Sequence, residues 1–541
     1  MDMRKIKRSL LTIALAGAFG TAHAELTTNL TLGNPKALAM GNAVTADPPG
    51  IDSIHFNPAG LGKIKGRIFQ AKVLAADIAS TTKFGDQAKA VSDQLNSIPT
   101  TQDRNSGAFT DKIIGTTSKT GDPVLILPGA GLTKLPALVL PFGGFAINPP
   151  DSNVTFADAI YSPDGIGYSR DKSDPGGYQG QQASVVRLTY LSPSIGFEVM
   201  KDFYVGASIG LSWQGLGFDL DMRAPNFVTY GATQLADQTV SDQTCLSSTN
   251  FLISGLCGSL GPYDDLFHLN LQLSNAIAPS VNLGALWDVT PYLSLGVVYQ
   301  SESRSELEGP YKLEYTQRWQ NFFSKLAPLT GAIGLSVGKS VDKGTAKLEF
   351  TEPQHFAMGT SIRLMPRLKV NFDVKWVDYS AWDTFDIKFD QKIDFLKFAA
   401  IVQPSNATPD VLKMPRHYQA VWTWALGGEY QVNNQLALRA GFEPRKSAIP
   451  ASKTDILMPL YDANLYTVGF GFQLTDDQLI EGAFGYLTSK FTIKNGVGEQ
   501  SSNFNMYDDD INNAIYNPYM GLSAKVDTRA YLFSLAYTNK F

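Results

Sequence analysis

Much of this chain alternates apolar and polar residues with a period of two, the spacing that places successive side chains on opposite faces of a β-strand. Clear examples are segments 370–376, 420–430, 436–443 and 465–474. In the last of these, large apolar residues occupy one face, and glycine, threonine and glutamine occupy the other. The pattern predicts an all-β protein, either a soluble sandwich with its apolar face turned inward or a membrane barrel with its apolar face turned outward.

The connections between the predicted strands favour the barrel. Short turns are predicted at 199–203, 289–293, 365–368, 431–435 and 475–478. Long, irregular stretches are predicted at 80–122, 221–277, 304–345 and 491–525. Short periplasmic turns and long external loops are typical of outer-membrane proteins, whereas such long loops are unusual in a compact soluble domain. We therefore predict a transmembrane antiparallel β-barrel over 67–541, with its first strand at about 67–78.

The end of the chain fits the same architecture. Residues 531–541 alternate, and one face carries four aromatic residues and one leucine: Tyr531, Phe533, Leu535, Tyr537 and the terminal Phe541. A strand that ends on an aromatic residue resembles the assembly signal of bacterial outer-membrane proteins. We expect Phe541 to be recognised by the assembly machinery; the alternative is an ordinary edge strand that ends in phenylalanine.

Composition narrows the classes further. Of the 541 residues, 18% are charged and 11% are aromatic, and the net charge is −5. This charge argues against a nucleic-acid-binding protein, which normally carries a basic surface. Because no window holds about 18 consecutive apolar residues, membrane-spanning helices are not expected in the mature chain.

Residues 1–24 have the layout of a secretory signal peptide. Four basic residues precede the apolar run 10–19, and Ala22-His23-Ala24 forms a small-x-small cleavage site. We predict export and removal of this segment. Export together with the predicted barrel places the mature chain in the bacterial outer membrane, among its lipids and lipopolysaccharide.

Residues 25–66 precede the first predicted strand and do not alternate. They are rich in small residues and prolines, carry few charges, and end in the run Ile54-His55-Phe56-Asn57-Pro58-Ala59-Gly60-Leu61. This composition suits a compact plug inside a barrel better than a disordered tail, which would be more polar.

At this point the sequence resembles the FadL family of outer-membrane transporters for long-chain fatty acids and other hydrophobic compounds. Asn57-Pro58-Ala59 matches the hatch motif of that family. Three further stretches resemble family strands and hairpins: 194–206, Tyr299-Gln300-Ser301-Glu302 and Arg439-Ala440-Gly441-Phe442. The resemblance implies a fourteen-stranded, monomeric barrel with a hatch at 25–66. It also implies capture of substrate by loops, movement of the hatch and sideways exit through a gap in the wall.

Two regions are candidates for the substrate path. External loops with many apolar residues usually bind something, and they point to a groove formed by Phe251, Leu252, Leu256, Trp319, Phe322 and Phe323. The alternative is that these loops pack on each other. The strand Leu138–Ile147 meets Asn148-Pro149-Pro150, and it resembles the position of the kinked third strand of the family. We predict that Gly143, Gly144, Pro149 and Pro150 shape the lateral opening there, because proline cannot donate to a β-ladder. The alternative is an ordinary strand end.

Charged residues at lumen-facing positions form a second candidate group. Arg187 and Arg439 are cations that could receive a carboxylate head group, and Asp373, Lys375 and Glu443 share their parity. The alternative is an internal salt-bridge network that fills the barrel.

The remaining chemistry is sparse. Cys245 and Cys257 lie 12 residues apart, and export permits a disulfide between them; two free thiols or a metal site are the alternatives. The mature histidines have neither metal nor triad spacing, so neither an enzyme nor a bound metal or cofactor is expected. A general porin or a structural or adhesive barrel is the alternative to a transporter of hydrophobic compounds.

Overall fold

The computed structural model describes residues 29–97, 110–225, 263–325, 339–397, 408–457, 461–499, 501–502 and 517–541. Within these residues, fourteen strands form the wall of a barrel. They are β1 (Gly66–Gln87), β2 (Leu138–Asn148), β3 (Val154–Ser169), β4 (Gln182–Leu191 and Ser194–Met200), β5 (Phe203–Arg223), β6 (Asp265–Thr290), β7 (Leu293–Gln300 and Ser303–Tyr315), β8 (Val341–Glu352 and His355–Met365), β9 (Leu368–Val377 and Thr384–Phe389), β10 (Val411–Pro415 and Val421–Gln431), β11 (Leu436–Arg445), β12 (Ala463–Thr475), β13 (Gln478–Ile493) and β14 (Leu522–Lys540).

The barrel is closed by its first and last strands. Each strand pairs antiparallel with the next, and β14 pairs with β1 from Ile68–Lys540 to Gln87–Leu522. Closure matters because hydrocarbon offers no partner for an unpaired backbone group. The predicted transmembrane antiparallel barrel is therefore confirmed, and the fourteen strands implied by the family resemblance are present. Among the described residues, no helix has the length and apolarity needed to cross a membrane.

The two ends of the barrel differ. All five predicted short turns join adjacent strands at one end, where β1 begins and β14 finishes. The long connections lie at the other end, which by this asymmetry is extracellular. The short elements are the helices α1 (Pro35–Ala39), α2 (Ser53–Phe56), α3 (Lys89–Ser97) and α4 (Gln317–Lys325), the 3₁₀ turns Gly50–Asp52, Pro58–Lys63, Pro175–Gln179, Tyr379–Ala381 and Ala451–Lys453, and the strands Thr117–Lys119, Val124–Leu127 and Gly131–Lys134.

Several strands continue beyond the predicted loop boundaries. β1 runs to Gln87 instead of residue 78, and β7 runs to Tyr315, well inside the predicted loop 304–345. Likewise β5 ends at Arg223 and β6 begins at Asp265, whereas the predicted loop was 221–277. Loops 80–122 and 491–525 are shortened in the same way, since β13 runs to Ile493 and β14 begins at Leu522.

A β-bulge explains why the sequence pattern predicts a loop over the upper part of β6. The register of β6 against β5 shifts between Asn275 and Ala278. Below the shift, the odd-numbered Leu283 is 50% exposed on the outer face, whereas above it the odd-numbered Leu271 is buried inside. One extra residue moves every following side chain to the other face. The apolar alternation of β6 therefore continues through the bulge, but on its extracellular side the odd-numbered apolar residues face the interior instead of the outer face.

Glycines on the inner wall let residues 29–65 pack directly against the strands. A Cβ at Gly206 would collide with the backbone of Pro58, and one at Gly441 with the backbone of Gly41. The same close approach to this N-terminal segment occurs at Gly196, Gly284, Gly296, Gly359, Gly427 and Gly469. The glycine-rich lumen face of the alternating strands thus has a steric reason, because the main chain of the segment occupies the space of the missing side chains.

Adjacent glycines on β10 give a matched test of this packing. A Cβ at Gly427 would lie 2.5 Å from the Met40 carbonyl oxygen, whereas one at Gly428 would meet nothing within 4 Å. Overpacking costs about 1–3 kcal/mol, so we expect Gly427→Val to displace the segment and to open an ion-conducting path in planar lipid bilayers. Gly428→Val should leave the conductance at the wild-type value. Equal conductance of the two folded variants would contradict the steric account.

Candidate functional site

The N-terminal segment folds as a compact plug inside the barrel. Its start is fixed locally, because the Asn34 side chain accepts a hydrogen bond from the Ala37 N–H at 2.8 Å and Pro35 occupies the first position of α1. From Asn29 to Leu61, almost every residue is buried. Burial also lowers the pKa of the His55 imidazole well below its ordinary value. Its Nε2 lies 2.7 Å from Asn29 Oδ1, and because an amide oxygen can only accept, the ring donates this hydrogen bond.

Asn57 of the predicted hatch motif holds two parts of the structure together. Its amide Nδ2 donates to the Thr45 carbonyl at 2.8 Å and to the Ala285 carbonyl on β6 at 3.1 Å, while its Oδ1 accepts from the Ala59 N–H at 3.2 Å. Pro58 follows at the first position of the 3₁₀ turn, where no N–H is needed. Asn57 and Ala59 are completely buried. The motif therefore ties the segment both to itself and to the wall.

Other wall side chains satisfy the backbone of the segment around the whole lumen. Thr467 donates to the Ala39 carbonyl at 3.1 Å, Asn371 to the Ala43 carbonyl at 2.8 Å, and Gln300 to the His55 carbonyl at 2.6 Å. Gln300 belongs to the stretch Tyr299-Gln300-Ser301-Glu302, which resembles a family strand. Its contact with the plug shows that the position serves the packing of the segment here.

Ion pairs fill the periplasmic floor of the lumen. Asp47 of the segment lies 3.0 Å from Lys36 Nζ and 2.6 Å from Lys369 Nζ, and Lys369 also contacts Glu429 at 2.9 Å. Arg439 continues this network, with 2.7 Å contacts to Glu429 and to Glu481. Arg439 therefore belongs to an internal salt-bridge network, which was the alternative to a contact with a carboxylate head group.

The other predicted lumen charges differ in whether they form ion pairs. Glu443 is within 2.7 Å of Lys375 and 2.8 Å of Arg445, and it also accepts from Asn42 of the segment. Arg187 differs, because its guanidinium donates to hydroxyls only: to Ser212 at 3.2 Å and to Ser280 at 2.8 Å. Within the described part of the chain, no carboxylate lies within ion-pair distance of Arg187.

The wall is interrupted between β2 and β3. Their pairing covers only five positions, from Ile147–Phe156 to Gly143–Ile160. Above Gly143, β2 continues to Leu138 along β1, while β3 continues to Ser169 along β4. Among the described residues, these upper stretches have no pairing with each other, and Pro141 and Pro163 lie within them. The extracellular half of this seam is therefore unzipped.

The predicted opening residues take different positions around this seam. Gly143 and Gly144 form the last rungs before the strands diverge, opposite Ile160 and Ala159. Pro149 and Pro150 lie in the short periplasmic turn between β2 and β3, at the opposite end of the paired stretch. The geometry thus associates the two glycines with the interruption, while the two prolines mark the strand end that was the alternative interpretation.

The start of the N-terminal segment lies directly behind the interruption. Toward β3, Asn29 N–H donates to the Pro163 carbonyl at 3.2 Å and Thr31 Oγ1 donates to the Ser162 carbonyl at 3.0 Å. Toward β2 and β14, Gly33 packs beside Phe142, and its carbonyl accepts from Ser534 Oγ at 2.7 Å. Residues 29–33 therefore bridge the two sides of the gap from inside the barrel.

The extracellular half of the barrel has an apolar interior. One continuous cluster of buried side chains reaches from Leu30 and Leu38 of the segment to Trp319 of α4. Trp319 is 3% exposed and stacks on Tyr315 at 5.3 Å between ring centroids. Of the other predicted groove residues, Phe322 and Phe323 belong to α4, but their side chains lie outside the described part. Phe251, Leu252 and Leu256, the cysteines Cys245 and Cys257 and the predicted signal peptide lie outside the described residues.

Comparison with known proteins decides the family. The family described as "Outer membrane protein transport protein (OMPP1/FadL/TodX)" matches residues 10–541. The chain belongs to this family. The family is one of outer-membrane transport proteins, in agreement with the resemblance of the hatch motif and strand ends.

Individual relatives are distant. The chain is 21% identical over 297 residues to the long-chain fatty acid transport protein of Escherichia coli O6:H1, a match that covers 54% of this chain and 59% of that relative. In structure it is similar to a Pseudomonas aeruginosa FadL homologue, with a TM-score of 0.65, 18% identity and coverage of 96% and 100% of the two chains. The Ralstonia pickettii toluene transporter TbuX gives a TM-score of 0.58 with 16% identity and coverage of 95% and 99%. At these identities, the structural matches show the shared fold.

Sequence reasoning missed the residues that close the gap. Thr31, Gly33 and Phe142 carry no distinctive motif, and their roles follow from which strands lose their pairing. One signal was available in β1, where Lys72 interrupts an apolar run. It faces inward and pairs with Asp52 of the segment at 2.5 Å.

Asn57→Ala tests the attachment of the segment. The change leaves the Thr45 and Ala285 carbonyls without this donor, at a cost of about 1–3 kcal/mol for each buried group left unsatisfied. We expect faster amide exchange over residues 43–60, an uptake of labelled dodecanoate that falls at least severalfold, and a barrel that stays heat-resistant on gels. Asn153→Ala, at an exposed turn residue that donates to the Glu198 carbonyl, is the control. Wild-type exchange and uptake in Asn57→Ala would refute the role of the motif.

Proposed function

We propose that this protein takes up hydrophobic compounds, such as long-chain fatty acids, alkanes or aromatic hydrocarbons, across the bacterial outer membrane. The observation that carries the proposal is the unzipped seam between β2 and β3, backed by residues 29–33. A solute that reaches the lumen above the plug leaves sideways into the bilayer when these residues and the hairpin Val124–Leu127/Gly131–Lys134 are displaced, because the hairpin packs against Leu138 of β2 and Val186 of β4. Such a path suits apolar solutes, because it never requires them to enter a water-filled pore.

The extracellular half supplies the first part of the path. The apolar cluster that ends at Trp319 borders the external loops, and large apolar surfaces at such places bind ligands. The proposed groove contains Trp319 together with Phe251, Leu252, Leu256, Phe322 and Phe323. Because the same cluster continues to Leu30, it offers a captured molecule an apolar route toward the gap.

The alternatives fit the lumen less well. A general porin keeps an open, polar channel, whereas residues 29–65 occupy this lumen and are tied to strands on all sides. A purely structural or adhesive barrel gives no reason for an interrupted seam with a plug behind it. We further propose that the chain acts as a monomer, and that the terminal Phe541, which is 69% exposed, is read by the assembly machinery.

A reversible cross-link tests the gate. A Cβ at Gly165 would lie 3.7 Å from the Thr31 side chain, close enough for a disulfide after small adjustment. In a background with Cys245→Ser and Cys257→Ser, oxidised Thr31→Cys/Gly165→Cys should lose at least about nine-tenths of its uptake of labelled dodecanoate and dodecane. A reductant should restore uptake, and Thr31→Cys alone should be insensitive to the oxidant. Full uptake by the cross-linked protein would exclude exit through this gap.

Arg187 is the proposed head-group contact for acids. A charge-assisted hydrogen bond is worth about 1.5–3 kcal/mol, so Arg187→Gln should weaken dodecanoate binding to the purified protein about tenfold or more. The binding of dodecane should not change. Arg529→Gln, at an exposed arginine on β14, is the control. If Arg187→Gln weakened the binding of dodecanoate and dodecane equally, Arg187 would have only a structural role.

A further inference from the structure

A buried ion pair joins the plug to the strand beside the gap. Lys72 Nζ on β1 lies 2.5 Å from Asp52 Oδ1 of the segment, and the two side chains are 1% and 2% exposed. The second carboxylate oxygen, Asp52 Oδ2, accepts from Asn34 Nδ2 at 2.7 Å. Asn34 in turn caps α1 and directly follows residues 29–33. The pair is therefore linked through one hydrogen bond to the stretch that covers the gap.

Lys72 also lies at the edge of the gap itself. In the β1–β2 register it is opposite Phe142, the first residue of β2 above the last rung shared with β3. The Lys72 ammonium is 5.9 Å from the centroid of the Phe142 ring. A molecule that slides past Phe142 into the seam would thus bring a terminal charge within reach of Nζ.

The burial of this pair restricts how the plug can move. Removing one partner from a buried ion pair leaves an uncompensated charge in a place where water cannot solvate it, and this is strongly unfavourable. Movement of Asp52 away from β1 is therefore opposed unless another anion takes its place. A carboxylate meets that need, whereas an alkane or a neutral aromatic compound does not.

We propose that Lys72 and Asp52 form a latch that the carboxylate of an acid substrate releases by replacing Asp52 on Lys72. The proposal rests on the lateral exit described above and specifies amphiphilic acids, such as fatty acids, as the compounds whose own head group opens the gate. Neutral compounds pass only when the segment moves spontaneously. Arg187, on β4 beyond β3, acts earlier by binding the acid in the lumen.

The test compares an acid with an alkane of equal length. The double variant Lys72→Met/Asp52→Asn removes both charges, so neither is left buried alone. In cells that carry the full-length protein, we expect the rate of dodecanoate uptake to fall about tenfold relative to that of dodecane. Equilibrium binding of dodecanoate to the purified variant should stay within twofold of the wild type, because the latch acts after capture. Heat-modifiable migration on gels verifies that the barrel is folded.

A second ion pair between plug and wall provides the matched control. Lys369→Met/Asp47→Asn removes a lysine–aspartate contact at the periplasmic floor, away from the gap, and should leave the acid-to-alkane uptake ratio unchanged. An unchanged ratio in the Lys72/Asp52 variant, or an equal change in both variants, would overturn the latch. Absence of uptake of both probes by the wild type would instead refute the proposed function. Uptake of dodecane without dodecanoate by the wild type would refute the latch alone.

Discussion

A barrel of fourteen strands is wider than its own side chains can fill, and this constraint shapes everything inside the molecule. Small barrels of about eight strands close their interior with wall side chains, whereas barrels of sixteen or more leave an aqueous channel. Here residues 29–65 fill the space. They do so through direct contact of main chain with main chain, which is possible because the inner wall carries glycine at positions such as Gly206 and Gly441.

A plug made of short helices and turns brings many backbone groups into a space with little water. Those groups need partners, since unpaired buried polar groups are costly. The wall supplies them from side chains on several strands, among them Asn371 and Thr467, while the plug supplies Asn57 in return. The same chemistry explains the floor network around Asp47 and Arg439. The polar lumen face of the strands therefore belongs to the attachment of the plug, whereas the upper interior is lined by the apolar cluster that reaches Trp319.

The sequence predicted the barrel well because its strongest signal, alternation with short turns, is local. It predicted the inward parity of Arg439 but could not tell whether that arginine was neutralised, since its partners Glu429 and Glu481 come from strands whose register the sequence does not reveal. Arg187 has the same parity, but among the described residues no carboxylate lies within ion-pair distance of it. The single extra residue in the bulge at 275–278 reversed the phase of β6, and the upper strand was missed. The hatch motif was found only through resemblance, because nothing in the residue types of Asn57-Pro58-Ala59 by themselves indicates a plug.

Pro141 and Pro163 limit the hydrogen bonds that can form across the upper seam between β2 and β3. Since Pro141 and Pro163 lack an N–H, the facing stretches of β2 and β3 cannot form a complete ladder even when they approach each other. Separating these two stretches therefore breaks no β2–β3 ladder bonds. The contacts that cover the upper seam come from residues 29–33 and from residues 120–135, which hydrogen-bond to Ser80 and Ser169 and pack against Leu138 and Val186. The barrel can thus remain as rigid as any closed sheet while the proposed lateral passage is governed by the short segments that cover this seam.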